Sequence, residues 1–161
     1  MKENLIEDYS KIGGWLYLVA FGLFGTAFSI AFELLKTYVP IFTNGTWANL
    51  VASTQLKPLS FLIIIEIVLN IILMLFSIIL LFQMRVKHPL FPRNTIILYV
   101  SILCFSILDQ VLYNILITGF SSDQTVSYEE IAKAFGTCVI WIPYLLISKR
   151  VKGTFKTKIE L

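Results

Sequence analysis

Three acids stand inside stretches of this chain that are otherwise apolar enough to cross a bilayer: Glu33, Glu66 and Asp109. A carboxyl at membrane depth is costly and is retained where it has work to do, so each is a functional candidate. Two kinds of work are open to them. They can bind a cation, a proton or a polar ligand in a cavity, joined there by the amides of Asn70, Gln110 and Asn114 and by Lys133 as a counter-ion. Or they can hydrogen-bond between helices and fix the register of a bundle. Glu33 has a third option, since it falls near a helix end where a long side chain can reach the interface.

Other chemistry finds no residues. The sole histidine, His88, sits beside Pro89 in a short connection, and there is no HExxH, no Cys/His cluster, no GxSxG, no phosphate-binding glycine loop and no GxGxxG. The expectation is a non-enzymatic protein with no cofactor and no metal. Cys104 and Cys138 each lie within an apolar run and read as packing thiols.

The elements that must position the acids follow from composition. Of 161 residues, 57% are hydrophobic and 14% charged, and the mean hydropathy is +0.81. That balance excludes a soluble enzyme, a disordered chain and a disulfide scaffold, and a net charge of +3 is too small for a nucleic-acid binder. A spanning helix needs about 20 mostly apolar residues. Runs at 12–35, 59–82, 95–117 and 131–148 meet or approach that length, predicting an all-α polytopic membrane protein, a four-transmembrane-helix bundle in a single domain. The first run is too long, and its leading segment too mixed in charge, for a signal peptide. Leu5, Ile6, Tyr9 and Ile12 recur at helical spacing, as in a short surface helix or a frayed tail.

Orientation follows from Lys and Arg counted by connection. Lys2 and Lys11, then Arg85, Lys87 and Arg93, then Lys149, Arg150, Lys152, Lys156 and Lys158 fall on one side, and only Lys36, Lys57 and Lys133 on the other. Both termini are therefore expected in the cytoplasm. The basic tail 149–161, through Lys149, Arg150, Lys152, Lys156 and Lys158, is expected to meet anionic lipid headgroups or a cytoplasmic partner.

At 100° per residue the polar groups form stripes. Gly22, Thr26, Ser29 and Glu33 share one on the first helix, and Glu66, Asn70 and Ser77 one on the second. Ser106, Asp109 and Tyr113, widened by Gln110 and Asn114, form the third; Lys133, Thr137, Trp141, Tyr144 and Ser148 the fourth. At about 1.5 Å per residue, Glu66 and Asp109 lie about 10 and 12 Å inside the outer ends of their helices.

Boundary signals agree. Pro40 should stop the first helix, Pro58 suits the first turn of the second, and Pro92 with Asn94 as cap should precede the third. Ser127 and Glu130 form a capping-box pattern opening the fourth, and Gly153 would close its extension. Thr46–Val51 reads as a short interfacial helix. Pro143, between Trp141 and Tyr144, should bend the fourth helix. Tyr38, Tyr99, Trp15 and Tyr128 fall where interfacial rings settle.

Three segments carry a resemblance. Gly13-Gly14-Trp15-Leu16, Phe91-Pro92-Arg93, and above all Ile140-Trp141-Ile142-Pro143-Tyr144-Leu145 followed by Ser148-Lys149-Arg150-Val151-Lys152-Gly153-Thr154-Phe155 make the chain resemble the bacterial membrane family catalogued as domain of unknown function 2569. The resemblance spans nearly the whole chain and includes a glutamate in helix two and an aspartate in helix three, here Glu66 and Asp109. It implies a small four-helix protein of the bacterial cytoplasmic (inner) membrane and supplies no activity. Two functions are then expected in order. The first is a non-enzymatic accessory or structural component that packs against membrane lipids, a partner membrane protein or a second copy. The alternative is a small transporter or ligand-binding membrane protein that uses an outward-facing acidic cavity.

Overall fold

The computed structural model describes residues 12–117 and 128–155. The proposed surface helix at the amino terminus, and Lys2, Lys11, Ser127, Lys156 and Lys158, lie outside the described residues. Every described element is helical: α1 Trp15–Thr43, α2 Thr46–Ala52, α3 Lys57–Arg85, α4 Phe91–Ile117, α5 Glu129–Ile147 and α6 Lys149–Thr154. Helices α1, α3, α4 and α5 are each long and apolar enough to cross a membrane.

Their outward faces are the most apolar part of the chain. Phe21, Phe24, Phe28 and Phe32 form an exposed row on α1, and Ile64, Ile65, Val68 and Ile72 do so on α3. In water such a surface would aggregate, whereas hydrocarbon solvates it. The interior is built from smaller contributions of every span. Leu16, Val19 and Leu23 of α1 meet Leu73 and Leu80 of α3, Leu98 and Tyr99 of α4, and Cys138 and Leu145 of α5. Along the backbone α1 packs on α3, α3 on α4 and α4 on α5, while α1 and α5 do not run in close contact.

Pro40 does not stop the first helix. Residues Leu34–Tyr38 form a π-helical turn, in which the Val39 amide donates to the Leu34 carbonyl five residues back, and the helix then continues to Thr43. The wider turn absorbs the donor that proline lacks. Beyond it, Asn44 Oδ1 accepts from both the Thr46 amide at 3.0 Å and the Thr46 hydroxyl at 2.6 Å. With Gly45 left-handed at φ 81°, this reverses the chain into α2. Leu50 of α2 closes over Tyr38 and Ile63, with Trp47 against Phe42 at 4.9 Å.

One further boundary differs from expectation. Helix α4 begins at Phe91, so Pro92 lies in its first turn, and Asn94 is a helical residue whose amide donates to Gln83 Oε1 at 3.0 Å. That bond ties α4 back to α3 across the short connection. Gly153 lies in the extension beyond α5, one residue before α6 ends at Thr154. The break comes at Ser148, whose extended backbone (ψ 121°) ends α5 and whose Oγ caps α6 by accepting from the Val151 amide at 3.4 Å.

Helix α6 folds back beneath the bundle. Val151 and Phe155 are buried, and the Phe155 ring stacks on Phe91 with centroids 4.7 Å apart. Pro143 lies inside α5, which continues through it. Trp141 packs edge-on between Trp15 (6.4 Å) and Tyr144 (6.0 Å), and so joins α5 to α1 at this end.

Candidate functional site

The four polar stripes meet. A cavity of about 330 Å³ lies in the half of the bundle remote from α6, lined by all four spanning helices. Helix α3 supplies Glu66, Asn70 and Leu73 at i, i+4 and i+7, and α5 supplies Glu130, Lys133, Ala134 and Thr137 on the same pattern. Helix α4 supplies Tyr99, Ile102, Phe105, Ser106 and Asp109.

Helix α1 contributes in a way that regular periodicity misses. Thr26, Ser29, Ile30 and Glu33 are spaced as an α-helix requires, but the next residue on the face is Tyr38, five positions on. The π turn adds one residue to that revolution and so carries Tyr38 inward. Its hydroxyl donates to Glu66 Oε2 at 3.1 Å. Tyr38, near the helix end where an interfacial ring is expected, is buried. Tyr99, expected there too, is buried against α5, where Cys138 Sγ donates to its carbonyl at 3.4 Å.

Glu66 and Asp109 line the same cavity from α3 and α4. Asp109 Oδ1 is buried and has no hydrogen-bond partner among the described residues. Asn70 lines the same space at 9% exposure, with no protein partner for its amide among the described residues. Such groups are normally satisfied, and two orphans facing one cavity mark a place where a bound molecule or water completes the bonding.

Three of the hydroxyls around them have spent their protons. Thr26 Oγ1 donates to the Gly22 carbonyl at 2.9 Å, Ser106 Oγ to Ile102 at 3.0 Å and Thr137 Oγ1 to Lys133 at 2.9 Å, each one turn back on its own helix. What remains on those oxygens is lone pairs.

Lys133 is not the counter-ion of the intramembrane acids. Its Nζ pairs with Glu129 at 2.6 Å on the same helix, with both side chains about 70% exposed. Glu33, Ser29, Glu130 and Lys133 are all exposed residues that line the cavity, and they form its mouth between α1 and α5. Gln110 and Asn114, from the sequence candidates, are not among the lining residues. They stand one and five positions beyond Asp109, turned off its face by about 100° per residue. No three His, Cys, Asp or Glu side chains among the described residues come together to hold a metal ion.

At the opposite end, Arg150 is half-buried beside the start of α1. Its guanidinium lies over Gly13 and Gly14, so close that a Cβ at Gly13 would stand 2.8 Å from Nη1. Lys149 and Lys152 are exposed.

The fold and site define a multi-pass membrane protein whose spanning helices enclose an acidic cavity. The chain belongs to the family described as a protein of unknown function (DUF2569), which matches residues 9–156. No curated protein and no solved structure matches the chain.

Proposed function

We propose that this is a non-enzymatic solute-binding protein of the bacterial cytoplasmic membrane, carrying or sensing a small polar molecule in the cavity between its four spans. With the termini cytoplasmic, as the Lys and Arg distribution favours, the cavity mouth faces outward. The observation that supports this reading is the convergence of Glu66, Asn70 and Asp109 on one space with hydrogen-bonding capacity left over. An accessory protein that merely packs against lipid or a partner would use its polar stripes up between helices. Here they surround a volume instead.

Native mass spectrometry of the protein released gently from its own membrane tests the proposal. The expected result is a small-molecule adduct that a cavity-filling Ser29→Trp variant of equal stability lacks. A chain that leaves the membrane with a stoichiometric protein or lipid partner, and shows no adduct that Ser29→Trp removes, would sink the binding reading and restore the accessory one.

A further inference from the structure

We infer that the cavity takes a small organic ammonium ion with an apolar body, a deepening that rests on the binding function proposed above. Charge makes the first selection. Glu33, Glu66, Asp109 and Glu130 line the space, and the one lysine there is already paired with Glu129. An anion would meet carboxyls with no free cation among the described lining residues to offset them, so a cation is favoured.

Hydrogen-bonding capacity makes the second. The hydroxyl protons of Thr26, Ser106 and Thr137 are committed to their own helices, and the orphan Asp109 Oδ1 is a carboxyl oxygen. Those three oxygens and the carboxyls offer acceptors, beside the Ser29 and Tyr99 hydroxyls and the Asn70 amide, which can both donate and accept, so a ligand that donates finds partners on every side. An ammonium group is such a donor, and the buried, unpartnered amide of Asn70 beside the acids supplies a further acceptor.

Size and surface make the third. A volume of about 330 Å³ is several times what a bare ion fills. A divalent metal ion wants about six oxygens gathered round it, and the described carboxyls are not clustered for that. The rest of the wall is Ile30, Leu73, Ile102 and Phe105 with the rings of Tyr38 and Tyr99. Aliphatic and aromatic walls beside carboxyls suit a hydrocarbon or aryl body attached to a cation, and ring faces attract the charge itself. The ammonium would donate to Asp109 Oδ1 and Asn70, with Glu66, already held by Tyr38, closing the charge from the other side.

The full chain in lipid nanodiscs, titrated with radiolabelled 2-phenylethylamine, provides the test. Competition by 2-phenylethanol, the neutral analogue, and by 3-phenylpropanoate, an anion, reads the charge selection without any substitution. The alcohol should compete about tenfold more weakly, the loss of a charge-assisted hydrogen bond, and the carboxylate more weakly still. Asp109→Asn should weaken the amine by a similar factor, and Asn70→Ala by less, with unfolding midpoints confirming that both remain folded.

Equal competition by the alcohol, preference for the carboxylate, or amine binding unchanged in folded Asp109→Asn each overturns the ammonium assignment while leaving a binding cavity. If none of the three probes binds saturably, the ammonium assignment falls. The adduct experiment with Ser29→Trp then decides separately whether the cavity binds anything.

Discussion

The Tyr38 hydroxyl donates to Glu66 Oε2 at 3.1 Å, joining two membrane-spanning helices through residues 28 positions apart in the chain. The bond leaves Glu66 partly satisfied, while Asp109 on the same cavity wall keeps an oxygen without a partner among the described residues. Tyr38→Phe removes the donor and keeps the ring that Leu50 and Ile63 pack against. The expected cost is about 1 kcal/mol of stability, measured as a lowered unfolding midpoint in detergent, because an acceptor loses one bond while the cavity still offers it water.

Tyr38 faces the cavity only because the Leu34–Tyr38 turn is π-helical. Deleting Lys36 within that turn would restore regular periodicity and rotate Tyr38 relative to the preceding face by about 100°. The deletion should therefore cost more than Tyr38→Phe, since it disrupts the packing of Tyr38, Leu50 and Ile63 as well as the bond. If instead the deletion proves as mild as Tyr38→Phe by the same unfolding measurement, the π turn is not what holds that cluster.

The two glycines before α1 should answer differently to the same substitution. Gly14 has φ 59°, so alanine there is strained whatever space surrounds it, at a cost of about 1 kcal/mol. Gly13→Ala meets the Arg150 guanidinium at 2.8 Å, but the far end of an arginine can swing aside. The prediction is a smaller loss at Gly13 together with a released arginine, seen as faster modification of Arg150 by phenylglyoxal.

Helix α6 is held by its buried face rather than by its charges. Phe155→Ala removes the ring stacked on Phe91 and leaves a space in the buried core, for a loss of about 3 kcal/mol or more. Neutralising the exposed Lys149 and Lys152 should leave the unfolding midpoint nearly unchanged while weakening attachment of the protein's basic end to anionic vesicles. A Phe155→Ala variant as stable as the parent would show that α6 does not support the bundle.

Ser77 offers a change of opposite sign. Its Oγ is fully buried without a hydrogen-bond partner among the described residues, on the inner face of α3 two turns below Asn70. Ser77→Ala discards an unsatisfied hydroxyl and should raise stability by about 1 kcal/mol, read as a higher unfolding midpoint. A fall in the midpoint would mean that the hydroxyl is satisfied by ordered water.

The four spans, their polar stripes and the short helix at Thr46 are legible in the amino-acid order, because bilayer thickness and helical periodicity act on local segments and leave their mark there. It also singled out Glu66, Asn70 and Asp109, since a polar group among apolar neighbours is visible wherever it stands. Proline stops were misread at Pro40, where a π turn absorbs the missing donor, and the same turn hid Tyr38 from arithmetic that assumes a constant 100° per residue. Lys133 looked like a counter-ion because its charge is evident from sequence, while the choice between Glu129 one turn back and the acids across the cavity depends on side-chain reach. That Arg150 lies over Gly13 is likewise invisible locally, because it depends on the break at Ser148 that turns α6 back toward the start of α1. That four stripes on four helices surround one volume is a matter of packing, because each stripe fixes a direction on its own helix and the turn of the helices toward one another is set by their contacts alone.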